Sequence, residues 1–287
     1  GMSHFSSRVS RRRPLRDITA RKLPPKRRRQ LLFESLEDRR VLAVTVGATI
    51  EGINFNEVST NNANGFYHIP PDPIGAVGTS HVVSVVNTSI EWHTKAGVQE
   101  HSESLKAFFS PLATVNNTFD PKVIYDQHAN RFVVITLEKT DDNDGSTSGD
   151  AADTSRILIA VSDDSDPNGT WRFQAINSKV NVSGTDTWAD YPGLAIDEEA
   201  IYITNNMFTF GPTNAFLASR LWIVDKTGGG GGIYGGGTSP VTIHDPSTAA
   251  GLGIQNSTLQ PAHIFGTPSS STLGTFLVNT GNWGFGG

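Results

Sequence analysis

The chain has 287 residues, no cysteine and a net charge of -5, long enough for a sizeable core but excluding disulfides, thiolate nucleophiles, zinc–thiolate sites and iron–sulfur clusters. The charge is uneven: residues 1–40 hold 13 of the 23 Lys and Arg but 4 of the 28 Asp and Glu, leaving about +9 there and about −14 in the rest. So acidic a body repels phosphate backbones, which excludes nucleic acid as its partner, and no run reaches the roughly 18 apolar residues needed for a transmembrane segment.

Residues 1–45 read as a basic export leader. Arg11, Arg12, Arg13, Arg16, Arg21, Lys22 and Lys26 to Arg29, broken by Pro14, Pro24 and Pro25, predict disorder. A short apolar stretch with a small-residue exit follows, from Leu31 to Ala43. Within it, Phe33-Glu34-x-Leu36-Glu37-x-Arg39-x-Val41-Leu42-Ala43 resembles the LEPR-XLL leader motif of large exported planctomycete proteins. It departs from that motif at Asp38, where the family has Pro, and at Val41, where it has Leu. The resemblance implies an extracellular or cell-surface location. Residues 46–66 read as an N-terminal strand and linker.

From residue 67 onward a repeat is visible. Asp72-Pro73, Asp120-Pro121, Tyr191-Pro192 and Gln260-Pro261 each open a run of small or aliphatic residues, with the prolines 48, 71 and 69 residues apart. Each opening leads through a turn to a second β-rich run: His81–Asn87, Arg131–Thr136, Ala200–Asn205 and Thr275–Asn279. Third runs follow at Ile90–Trp92, Ile157–Val161 and Leu221–Val224, and fourth strands at Trp171–Ala175 and Val241–Ile243, with Leu105–Phe109 the candidate in the first repeat. Repeated four-stranded meanders predict an all-β fold, a β-propeller of about three and a half blades at residues 67–118, 119–186, 187–258 and a partial 259–287. A ring normally closes with about 4–8 blades, so the expectation is an incomplete propeller within a larger polypeptide. The same features resemble an uncharacterised family of secreted bacterial propeller-like proteins.

Ser162-Asp163-Asp164-Ser165-Asp166-Pro167-Asn168-Gly169-Thr170-Trp171, between two strands of the second blade, resembles a loose Asp-box with an insertion before Gly169. That resemblance implies a shaped hairpin turn rather than sialidase chemistry. First-strand starts and second-strand ends share one edge of an antiparallel pair, so Asp72, Asp120 and Asp190 should lie on one face with Asn87, Asn205, Asn206 and Asn279. Trp188, Tyr191 and Trp283 add aromatic platforms suited to sugar rings. Each Asp or Asn equally suits a turn-capping role. Asp141, Asn143 and Asp144 offer the oxygen ligands that Ca²⁺ prefers, without EF-hand spacing, and otherwise read as a solvated loop. No other cofactor is indicated. The leading reading is a non-catalytic module binding a glycan or surface-protein ligand at its axial face. The alternative is a glycan-active hydrolase or lyase with Asp120 and Asp190 as acid and base.

Overall fold

The computed structural model describes residues 49–61, 67–142, 144–146, 149–247, 257–266 and 275–279. The leader motif, Asn143 and Trp283 lie outside the described residues. Three antiparallel meanders follow one another. Sheet 1 is β1 (Ile74–Val77), β2 (His81–Val86), β3 (Ser89–Thr94) and β4 (Gln99–Ser104). Sheet 2 is β5 (Phe119–Asp126), β6 (Arg131–Thr140), β7 (Thr154–Ser162) and β8 (Trp171–Asn177). Sheet 3 adds β9 (Val180–Val182) outside β10 (Thr185–Ile196), then continues through β11 (Ala200–Thr209), β12 (Phe216–Asp225) and β13 (Val241–His244). A two-stranded piece, β14 (Gln260–Pro261) with β15 (Leu277–Val278), begins a fourth sheet. First strands sit beside one another in series, β1 by β5, β5 by β10 and β10 by β14, which makes the fold mostly β-strand and half-propeller-like.

Alternation along the central strands shows why these residues stack as sheets. On β6, Val133, Ile135 and Leu137 face sheet 3 and join Ile196, Ile201, Ile203 and Trp222, whereas Phe132 and Val134 face sheet 1 and join Val83, Val85, Ile90 and Trp92. On β7, Ile157, Ile159 and Val161 take the first side, with Leu158 and Ala160 the second. Both faces are therefore buried, which explains why the period-2 pattern of a half-exposed strand is missing and the runs read as continuously apolar.

Three expectations need correction. Residues 49–54 form no strand, and Phe55–Asn61 is a short helix, α1. Asn54 and Glu57 start it as a reciprocal cap: Asn54 Oδ1 accepts from the Glu57 N–H, and Glu57 Oε2 from the Asn54 N–H. The fourth strand of sheet 1 is the polar Gln99–Ser104, and Leu105–Phe108 is instead a one-turn helix, α2, capped by Ser104 Oγ on the Ala107 N–H. Its Leu105 and Phe108 enter the core, so an apolar cluster there reads as strand although it serves as a plug. Finally, β9 and its Ser183-Gly184 turn extend sheet 3 beyond four strands.

Candidate functional site

Each repeat opens on a backbone irregularity. Asp72, Asp120 and Tyr191, the residues before the prolines, have φ of 44°, 49° and 49°, a left-handed conformation uncommon outside glycine. Register slips accompany the second and third, between Phe119 and Lys122 and between Asp190 and Gly193, so each proline falls in a bulge and takes no ladder hydrogen bond.

The irregular residue turns its N–H toward the preceding sheet. Asp120 N–H donates to Asn87 Oδ1 at 2.6 Å, Tyr191 N–H donates to Asp120 Oδ2 at 3.2 Å, and Thr258 N–H, leading into β14 at φ 63°, donates to Asn206 Oδ1 at 2.7 Å. Asn87 Nδ2 completes the first stitch by donating to Asp72 Oδ2 at 2.8 Å and to the Pro70 carbonyl. The predicted face therefore exists, but Asn87 and Asn206 are buried and their side chains stitch sheets together. Asn205 is buried too: its Nδ2 donates to the Asp190 carbonyl, while its Oδ1 has no hydrogen-bond partner. Asn279 follows β15 and is half-buried.

At the centre of this face the Asp120 and Asp190 carboxyl groups lie within hydrogen-bonding reach of each other. Burial, then the Asp190 charge and hydrogen bond, then Asp72, push Asp120 upward. Asp190 is also raised by burial, but it is drawn back by the Tyr191 N–H, by the Asp120 hydrogen bond and by Lys139. Both carboxyls are therefore raised, and they titrate together as one interacting pair. Both groups are half-buried, and the Tyr191 side chain beside them is half-exposed.

Trp188 is half-buried and engaged. Its Nε1 donates to the Thr209 carbonyl, Phe119 and Phe208 pack against its ring, and Lys139 Nζ stands 4.2 Å from the ring centroid. Lys139 carries no sequence motif. Its position at the end of a long apolar strand running out toward the predicted face was the available signal.

Two carboxylate groups near the start of β7 could hold a divalent cation: Asp141, Asp142 and Asp153, and Asp142, Asp144 and Asp150, each set with one oxygen per residue within 4.8 Å of the others. Asp141 and Asp144 thus belong to them as expected, joined by Asp142, Asp150 and the buried Asp153. Among the described residues no helix is long and apolar enough to cross a membrane. The Ser162–Trp171 segment closes the β7–β8 hairpin. Asp163 Oδ1 accepts from the Thr170 N–H, and a Cβ on Gly169 would stand 2.5 Å from that oxygen, so a side chain there would displace the carboxylate from its hydrogen bond. The turn also docks on sheet 1, where Asn168 accepts from Trp92 Nε1 and donates to Glu100.

No family model and no curated protein matches the chain. Among solved structures it is similar to a mutant of the GH43 protein BlXynB from Bacillus licheniformis, with 12% sequence identity over 62% of this chain and a TM-score of 0.29. The match spans 40% of that protein's length, and a likeness this slight carries no argument about activity.

Proposed function

We propose that the protein is an exported propeller module that hydrolyses glycans at the face where its first strands converge. The observation that carries this is the half-buried Asp120–Asp190 pair, two carboxyls raised by burial and coupled to each other, with a third, Asp72, close enough to raise both. Perturbed carboxyls in such a setting are a mark of acid–base sites. Engagement of Asn87 and Asn206 in stitching weakens the purely ligand-binding reading, since those groups are already used.

Asp120 and Asp190 touch, whereas glycosidase carboxyls stand about 5–5.5 Å apart when retaining and about 6.5–9.5 Å when inverting. The pair therefore acts as one acid: Asp120 delivers its proton to the glycosidic oxygen as the C–O bond breaks, and Asp190 orients it. Asp72, held by Asn87 Nδ2, is the base that takes a proton from the attacking water. The leader motif supports export, and the repeated meanders with their adjoining first strands support the propeller reading.

The test is turnover of a panel of aryl glycosides and polysaccharides as a function of pH. Activity should fall as pH rises through the raised titration of the pair, and Asp120→Asn should lower kcat by about 10²–10⁴-fold. Retention of glycan without product by the wild-type protein would return the module to a binding role.

A further inference from the structure

Where β6 ends and β11 turns into β12 lies a cleft of about 640 Å³, whose lining includes Asn116, Lys139, Thr140, Asp141, Pro212 and Asn214 together with two glycines. This volume falls within the range of about 300–1,000 Å³ usual for ligand pockets. We propose that this cleft is the binding subsite for the glycan, and that its ligand is an uncharged, hydroxyl-rich oligosaccharide. The proposal rests on the acid–base reading above and adds the place and the chemical class of the substrate.

Charge balance comes first. Of these six residues only Lys139 and Asp141 carry formal charge, and they pair at 3.0 Å. A uronate or sulfate entering the cleft would compete with Asp141 for Lys139 and meet the Asp141 charge beside it. A cationic amino sugar would likewise compete with Lys139 for Asp141. A neutral sugar disturbs neither partner and finds the Asn214 amide, the Asn116 Oδ1 acceptor and the Thr140 hydroxyl as donor.

Pre-formation is the second argument. The Gly211 N–H donates to Asp141 Oδ2, tying the β11–β12 turn of sheet 3 to the end of sheet 2. Asn116 Nδ2 donates to the Lys139 carbonyl and to Thr140 Oγ1, and the Ala215 N–H donates to Thr209 Oγ1 across the turn that carries Asn214. Walls fixed in this way need little ordering when a ligand binds. The third argument is adjacency. Lys139 lines the cleft, stands 4.2 Å from the ring centroid of Trp188, two residues before Asp190 on β10, and lowers the Asp190 titration, which sets the cleft and the carboxyl pair on one edge of sheets 2 and 3.

The experiment measures binding and turnover separately on the full chain, by calorimetry and product release. The ligands are neutral xylo-, cello- and manno-oligosaccharides, an oligogalacturonate and a chitosan oligomer. At least one neutral oligomer is expected to bind, and the charged ones at least tenfold more weakly. Pro212→Trp, which fills the cleft from an exposed position, should weaken binding at least tenfold while circular dichroism and Tm stay unchanged. Asp120→Asn/Asp190→Asn should retain that binding and lose turnover. Tighter binding of either charged oligomer, no binding of any neutral one, or unchanged affinity in Pro212→Trp would overturn the subsite. Should Pro212→Trp itself disturb the fold, Asn214→Asp reports instead: weakening of at least threefold supports the subsite, and unchanged affinity overturns it. Binding without turnover in the wild type would leave the subsite standing and remove the hydrolase reading.

Discussion

Strand β5 carries an aspartate near each end, and the two are treated in opposite ways. At its far end Asp126 is fully buried, yet four donors meet it: Lys226 Nζ at 2.7 Å, Tyr234 Oη at 2.6 Å and the N–H groups of His128 and Ala129. Lys226 also donates to the Asp197 carbonyl, and Tyr202 Oη to the Asp197 carboxylate, so this end is a closed hydrogen-bonded network between sheets 2 and 3. At its near end Asp120 receives one backbone N–H and the company of two further aspartates. One end invests its buried charge in holding sheets together, and the other leaves it unresolved where a ligand can reach. At the far end every oxygen of the buried carboxylate is met by donors, whereas at the near end two carboxyls raise each other.

The largest expected effect breaks the satisfied end. Lys226→Met leaves Asp126 buried without its cation and should cost about 3–5 kcal/mol in denaturant unfolding. A loss below about 1 kcal/mol would mean that the network is not closed as described. Tyr234→Phe removes one bond to the same carboxylate. Burial and Asp126 push that hydroxyl well above its ordinary range, so it stays a donor, and its loss should cost about 1.5–3 kcal/mol by the same measurement.

At the unresolved end the sign reverses. The folded-state value of Asp120 lies above its unfolded value, so the native protein holds a proton that the unfolded chain releases, and stability falls as pH rises from about 4 through the raised titration. Asp120→Asn keeps an acceptor for the Tyr191 N–H and a donor for Asp190, and asparagine tolerates the left-handed backbone. It should raise stability by about 1 kcal/mol at pH 8 and by less at pH 4, read as Tm against pH; an equal gain at both values would contradict a raised Asp120 titration. The smallest effect concerns the Asp141–Asp153 loop. Ca²⁺ at tenfold over its Kd should add about 1.4 kcal/mol, and Asp142→Asn, which enters both carboxylate groups, should abolish the gain.

Much of this architecture was legible because strands buried on both faces are written in long Val, Ile and Leu runs, and because each repeat opens on a proline. What stayed hidden has physical reasons. β4 is Gln-Glu-His-Ser-Glu-Ser, an outer strand whose polar composition carries no strand signal, and α2 hides its capping serine within that strand's end. The Asp126–Lys226–Tyr234 network joins residues about a hundred positions apart, which no spacing rule can anticipate. At the candidate site strand direction alone suggested that Asp72, Asp120 and Asp190 share an edge, but the distance between Asp120 and Asp190 is set by the stacking of sheets and is not written in the sequence. The employment of Asn87 and Asn206 was not legible either, because a carboxamide that binds a ligand and one that binds a neighbouring main chain look alike in sequence. The polar cleft was hidden for a related reason: Asn116, Lys139 and Asn214 belong to segments with no shared motif, joined only by the stacking of sheets 2 and 3.

The stitches between sheets have a property that their distances do not convey. In each, one partner is a side chain and the other an anonymous main-chain N–H, so the junction never reads the identity of the repeat that follows. It works like a standard coupling whose socket accepts any plug of the right bend. The same coupling therefore joins repeats whose openings stand 48, 71 and 69 residues apart.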